Sequence, residues 1–327
     1  MRKKIAFITP LWEWWPKVLY RDLVELLSEK YPEYEYFLIS SAKEWIKLHF
    51  YNKKYDLIIS SVPFFWKPPR STYIIEQHWL YRNDRGFTSI PKLLNWLYPY
   101  NNFFSKVVLY PSKFLKKYYN SQHINQQVIL NFSTFPIIEN DQNSLCHKQE
   151  INLLTIFRAD IYNKAIWILD LYEKLKLFKS DKKINYKIAW FWKYYEEMKE
   201  KFDISKLDKN IRVEWIWWLD KNWVIEEINN CDIFLYSTFY ETFWIILLEV
   251  LSLWKPILLN NYDSYYWLFD NEFISRDNDD FIYKLDNLMN NESYYKSYLE
   301  KLYANLEKFD KQKIIDQWYK IIKEQLH

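Results

Sequence analysis

Short apolar runs of strand length alternate with helical runs along nearly the whole chain, and that alternation confines it to α/β folds built on parallel sheets. In the first part the strand-like runs are Lys4–Thr9, Tyr34–Ser40, Asp56–Val62, Tyr73–Gln77, Lys106–Tyr110 and Gln127–Asn131, with helices such as Lys17–Lys30 and Pro91–Tyr98 between them. The polar, proline-initiated stretch from Pro136 to Glu150 breaks this rhythm and reads as a linker. A second series follows, with strands at Asn152–Phe157, Asn185–Ala189, Arg212–Glu214, Asp232–Tyr236 and Ile257–Leu259. Helices near Lys164–Lys179, Tyr194–Phe202, Lys221–Asn230 and Ile245–Leu253 separate them. Two doubly wound domains are therefore expected, with a cleft where strand carboxyl ends meet helix amino ends, a preferred place for ligands. The expected division is residues 1–135, a linker at 136–150, residues 151–300, and a terminal helix within 301–327 that crosses back to the first domain.

The stretch YETFWIILLEVLSLWKPILLNN at 240–261 poses a local problem. An apolar helix runs into Leu253-Trp254-Lys255-Pro256 and then a strand, so the chain must reverse within about two or three residues. Such a stop calls for a left-handed residue, which glycine adopts freely and an indole on a Cβ does not. The composition repeats the oddity: 1 Gly and 18 Trp in 327 residues, against roughly 23 Gly at an average usage of about 7%. The two types together total 19, close to an ordinary glycine complement. Most of these tryptophans therefore read as glycines in the working protein, as when a gene that uses UGA for glycine is translated with UGA as tryptophan. Codons of UGG at Trp14, Trp15, Trp244 and Trp254 would refute this. Trp318 reads as genuine, because it falls in step with Ile314, Ile315, Ile321 and Ile322 on the apolar face of a terminal helix.

Hydrophobic residues make up 50% and charged residues 27%, a globular balance. The start, MRKKIAFITP, has too short an apolar stretch for a signal-peptide core and reads as a first strand. No run approaches the ~18 apolar residues of a membrane span. Cys146 and Cys231 give neither a disulfide framework nor a metal-ligand spacing, which suits a reducing cytoplasm. The net charge of +3 hides an asymmetry: residues 1–135 hold 19 Lys+Arg against 10 Asp+Glu, and the remainder 26 against 32. The first half is thus the expected face for an anionic partner. No nucleic-acid motif or sustained basic stripe is present, and nucleic acid is not an expected partner.

Helix Ile245–Leu253 is apolar almost all round, which predicts burial and makes Glu249 in its middle a carboxylate in need of a partner. Glu241 lies eight residues earlier, just before the helix. Between them, Thr242, Phe243 and Trp244 lead into Ile245, where backbone N–H groups at a helix start favour a phosphate or sugar oxygen. Glycine at 244 would leave that approach open, whereas an indole would crowd it.

From Glu241 to Pro256 the chain resembles the E-x7-E signature of retaining GT-B glycosyltransferases of the large family-4 type, with Gly written as Trp at 244 and 254. Pro10-Leu-Trp-Glu-Trp-Trp-Pro resembles that family's Gly-rich loop after the first strand, and Ile188-Ala-Trp-Phe-Trp its I-x-G-x-G strand end. Val213-Glu-Trp and the run from Cys231 to Ser237 fit as well; residues 40–135 match more loosely. The resemblance implies a GT-B fold and transfer of a sugar from a nucleotide diphosphate sugar to a cell-envelope or polysaccharide acceptor, with retention of configuration. It implies that Arg158 and Lys164 grip the donor diphosphate, so that neither a metal nor a cofactor is required. Paired cations suit this task because they neutralise a departing diphosphate. Glu249 would hold the ribose, Glu241 would sit by the transferred sugar, and His78 would face the donor sugar or acceptor. Trp14 and Trp15, read as Gly, would let backbone amides approach the donor, and Glu13 would face the acceptor.

Ser112-Lys-Phe-Leu-Lys-Lys-Tyr-Tyr is basic and aromatic, which suits an anionic membrane surface beside a lipid-linked acceptor. A cytoplasmic protein with peripheral contact at the inner membrane face is the matching expectation. Two rivals stand beside the transferase: a sugar-nucleotide epimerase on the same fold, and a non-catalytic carbohydrate-binding protein whose indoles are genuine and stack on sugar faces.

Overall fold

The computed structural model describes residues 2–9, 15–50, 54–62, 64, 72–77, 92–119, 125–133, 135, 144–158, 167–191, 194–217, 221–238 and 245–327. The chain divides into two compact units, Met1–Thr134 with Phe309–His327, and Phe135–Lys308.

The first unit carries strands β1 (Lys4–Ile8), β2 (Glu35–Ile39), β3 (Leu57–Ser60), β4 (Thr72–Glu76), β5 (Val107–Tyr110) and β6 (Gln126–Val128), in the order β2-β1-β3-β4-β5-β6. Every pairing is parallel. The central strands are apolar on both faces, as a sheet covered on both sides requires. Alternation along β1 sends Ile5 and Phe7 into one core and Ala6 and Ile8 into the other. Among the described residues, four helices connect the strands: α1 (Trp15–Lys30), α2 (Ala42–Phe50), α3 (Lys92–Phe104) and α4 (Lys113–Tyr119). Pro16 sits in the first turn of α1, where a missing N–H removes no helical bond.

The first core is closed by the C-terminal helix. Its buried positions Ile314, Ile315, Trp318, Ile321 and Ile322 follow the helical period, as the sequence indicates, and join Phe7, Leu19, Tyr20 and Leu23. The Trp318 indole meets Phe7 and Tyr20 edge-on, with centroids 6.0 and 6.3 Å away. Outside this core, Asp316 accepts from Lys30 Nζ at 2.6 Å and from the Tyr31 hydroxyl at 2.5 Å, while Tyr319 stacks on Tyr31 at 3.7 Å. The hydrogen bond from Lys30 holds the Asp316 carboxyl below its ordinary range. A depressed carboxyl contributes stability that is present above the unfolded value, about 3.9, and is lost as pH falls through the folded one. Thermal melting of the first unit at low salt should therefore drop on acidification through that window. The Asp316→Asn variant should show a shallower drop, and equal slopes for both proteins would contradict it.

The second unit carries β7 (Glu150–Arg158), β8 (Lys183–Phe191), β9 (Ile211–Trp217), β10 (Ile233–Tyr236) and β11 (Ile257–Leu259), in the order β11-β10-β7-β8-β9 and again all parallel. Its helices are α5 (Trp167–Leu177), α6 (Tyr195–Lys201), α7 (Lys221–Asn230), α8 (Ile245–Ser252), α9 (Asn278–Asn290) and α10 (Glu292–Leu306). The terminal helix already described is α11 (Lys311–Leu326). Edge strand β11 is covered rather than exposed: Tyr298 of α10 is buried and donates its hydroxyl to the Ile257 carbonyl. The end of the expected linker is regular structure, since Leu145–His147 forms a 3₁₀ turn capped by Ser144 and β7 begins at Glu150. Residues 301–306, grouped with the terminal helix by the sequence, belong to α10.

Candidate functional site

From β7 the chain of the second unit builds outward through β8 and β9 on one side, then through β10 and β11 on the other. The order of strands thus reverses between β7 and β10, the point at which doubly wound sheets take ligands beyond their carboxyl ends. The pairing itself opens there. Strands β7 and β10 share only Leu153↔Ile233 and Leu154↔Phe234, whereas β7 stays in register with β8 as far as Arg158↔Phe191. Where the backbone ladder stops, the buried side chain of Thr155 donates to the Leu235 carbonyl at 2.8 Å and also meets the Tyr186 hydroxyl at 2.9 Å. A side chain in place of a backbone N–H lets the two strands part while keeping the buried carbonyl satisfied.

Removing that hydroxyl without changing shape should cost about 1–3 kcal/mol, because it strands two buried polar groups. Urea unfolding of Thr155→Val measures this, and an unchanged midpoint would show that the carbonyl has another partner.

Residues at the opening come from three elements. Arg158 is the last residue of β7. Ser237 and Thr238 follow β10, both buried, and Asn260 after β11 holds Thr238 from the side. Its Oδ1 accepts from the Thr238 N–H at 3.1 Å and its Nδ2 donates to the Thr238 carbonyl at 3.3 Å. Helix α8 begins at Ile245, seven residues after Thr238.

Helix α8 corrects one expectation. Leu247, Leu248, Val250 and Leu251 are buried, but Ile245, Ile246 and Glu249 form a half-buried side. Glu249 therefore lies one turn from Ile245 on the same half-buried side, since an apolar sequence does not by itself close every face of a short helix. The end of the helix is as the turn chemistry demands. Trp254 has φ of 58°, alone among described non-glycine residues in the left-handed region. Its N–H donates to the Leu251 carbonyl at 2.9 Å and that of Lys255 to Val250 at 3.2 Å, which closes the helix. The indole lies against Tyr303 with centroids 3.9 Å apart, and its buried Nε1 has no acceptor among the described residues.

In the first unit, Trp15 is the first residue of α1, so it starts a helix rather than ending a loop. Fully buried Glu76, at the end of β4, accepts from the Tyr20 hydroxyl of α1. Burial, and then the Glu76 carboxylate, hold the Tyr20 phenol well above its ordinary pKa, so it stays a donor. Glu76 stands two residues before His78. Glu13, Trp14, His78, Lys164, Glu241, Phe243 and Trp244 lie outside the described residues. Four residues that shape the opening, Thr155, Asp170, Ser237 and Asn260, were not singled out from the sequence. Their only signal is a polar group set within or just beside an apolar run.

No family model matches the chain, and no curated protein is significantly similar to it in sequence. Solved structures are similar in fold. HepE from Anabaena, solved with UDP and glucose, aligns with a TM-score of 0.72 at 13% identity over 99% of this chain and 100% of its own. Sucrose-phosphate synthase from Thermosynechococcus elongatus gives 0.73 at 10% identity, covering 99% of both chains. The lipopolysaccharide outer core galactosyltransferase WaaB, in its apo form, gives 0.66 at 15% identity over 98% of this chain and 99% of its own. At these identities the likeness establishes the fold, GT-B with two Rossmann-like domains.

Proposed function

We propose that the protein is a glycosyltransferase that moves a sugar from a nucleotide diphosphate sugar to a cell-envelope or polysaccharide acceptor, with retention of configuration and without a metal. The observation that carries this reading is the parting of β7 and β10 at the switch point, beyond which β7 ends at Arg158 and β10 leads to Thr238. Support also comes from the fold shared with HepE, which was solved with UDP and glucose, and with the galactosyltransferase WaaB. In this reading the diphosphate lies against Arg158, Lys164 and the N–H groups of Phe243, Trp244 and Ile245. Glu249 takes the ribose, Glu241 the transferred sugar, and His78 and Glu13 belong to the acceptor side with Trp14 and Trp15 near the donor. Two fixed cations and a helix amino end supply the positive field that a leaving diphosphate needs.

The test is a thermal-shift and donor-hydrolysis screen with UDP-, GDP- and ADP-sugars on protein made with glycine at positions 14, 15, 244 and 254. One nucleotide sugar should raise the melting temperature and be turned over. No shift with any of them would refute the reading, and release of a rearranged sugar without transfer would indicate epimerase chemistry instead.

A membrane-side acceptor is part of the same reading. Helix α4 exposes Lys113 and Lys117 while Leu115 and Tyr119 are buried, and Lys116 donates to the Gln126 carbonyl at 3.0 Å. Exposed lysines on this helix suit an anionic surface. Binding to phosphatidylglycerol vesicles should weaken with salt and fall in a Lys113→Glu/Lys117→Glu variant. No binding at low salt removes this part.

A further inference from the structure

We infer that Asp170 and Ser237 form a positioning couple that fixes the end of β10 relative to the start of α5, an inference that rests on the donor-site reading above. Asp170 lies in the first turn of α5, six residues after Lys164, and Ser237 follows β10, four residues before Glu241. The Ser237 hydroxyl donates to Asp170 Oδ2 at 2.6 Å. The same carboxylate oxygen accepts from Lys174 one helical turn on. The side chain of Lys174 is only 5% exposed, and its ammonium lies 5.7 Å from the Phe281 ring centroid in α9.

These contacts form a built arrangement rather than a surface encounter. Lys174 balances the carboxylate charge, and the Ser237 hydroxyl makes a charge-assisted bond to the same oxygen. The bond joins the start of α5 to the end of β10. On the far side of the same strand end, Asn260 holds Thr238 through two hydrogen bonds. The end of β10, four residues before Glu241, is thus tied to Asn260 after β11 and to Asp170 of α5. The sheet does not use the Ser237 hydroxyl, because β10 is paired with both β7 and β11 through its backbone. Its loss should release the end of β10 from α5 and leave the sheet intact.

Ser237 carries the test, because Asp170→Ala would leave Lys174 buried and unpaired and could unfold the unit. Ser237→Ala should lower kcat for sugar transfer about ten- to a hundredfold, the scale of a misplaced reacting group. Affinity for whichever of UDP, GDP and ADP best stabilises the protein, and the melting temperature, should stay near those of the unsubstituted protein. Ser237→Thr, which keeps the hydroxyl, should restore kcat. An unchanged kcat in Ser237→Ala would overturn the couple while leaving the donor site standing. So would a loss of kcat matched by equal losses of nucleotide affinity and melting temperature, because that is the signature of a structural role. If the unsubstituted protein binds none of the three nucleotides, the donor-site reading fails and this inference fails with it.

Discussion

Replacing Trp318 with alanine is expected to destabilise the first unit by about 3–5 kcal/mol, the range for removing a large aromatic from a core, while glycine at position 254 leaves stability unchanged or raised. The two tryptophans differ in their sequence setting and in what the fold asks of them. Trp318 is 3% exposed and wedged against Phe7 and Tyr20, so its loss opens a cavity under the terminal helix. Trp254 is held at φ of 58°, which costs a residue with a Cβ about 1–2 kcal/mol. Its buried indole nitrogen lacks an acceptor among the described residues, a further cost of about 1–3 kcal/mol. Against these stands the contact with Tyr303, about 0.5–1.5 kcal/mol for an aromatic pair, together with the indole's half-buried surface. Urea unfolding of Trp318→Ala and Trp254→Gly compares them directly. A Trp254→Gly loss as large as that of Trp318→Ala would mean that the indole at 254 is native, and the glycine reading of this turn would fall.

The second large effect is expected in catalysis. Arg158→Ala and Lys164→Ala should each lower kcat about 10²- to 10³-fold, the loss seen when one preorganised group facing a developing charge is removed. The sign of the accompanying change distinguishes roles. Negative charge grows on the diphosphate as the sugar departs, so cations beside it act more strongly on the transition state than on the bound donor and appear in kcat. A carboxylate on the ribose acts equally on both, so Glu249→Ala should raise KM for the donor with kcat little changed. Steady-state kinetics with the identified nucleotide sugar separates the two patterns. Loss of kcat in Glu249→Ala with Arg158→Ala near full activity would reverse the proposed assignment.

Most of the scaffold was legible because it is local. Apolar runs of three to seven residues between helical stretches became parallel strands, and the Leu253-Trp254-Lys255-Pro256 turn announced a left-handed residue that Trp254 then occupies. Trp318 could be singled out because helical periodicity places it with four isoleucines. What escaped the sequence depends on partners far along the chain. Thr155 reaches Leu235, Ser237 reaches Asp170, and Tyr298 covers Ile257, separations of 80, 67 and 41 residues that no periodicity encodes. The half-exposure of Glu249 was missed for a related reason: an all-apolar helix predicts burial, but which face is left open depends on what the fold packs against it.

A crystal structure of the glycine-restored protein soaked with UDP, or with GDP or ADP if one of these stabilises it more, tests the donor site most directly. The diphosphate should lie beyond the carboxyl ends of β7 and β10, within hydrogen-bonding distance of Arg158 and of N–H groups at the start of α8, with the ribose on Glu249. Nucleotide bound instead at the carboxyl edge of the first sheet, or in the second unit away from the parting of these two strands, would contradict the donor site proposed for this chain.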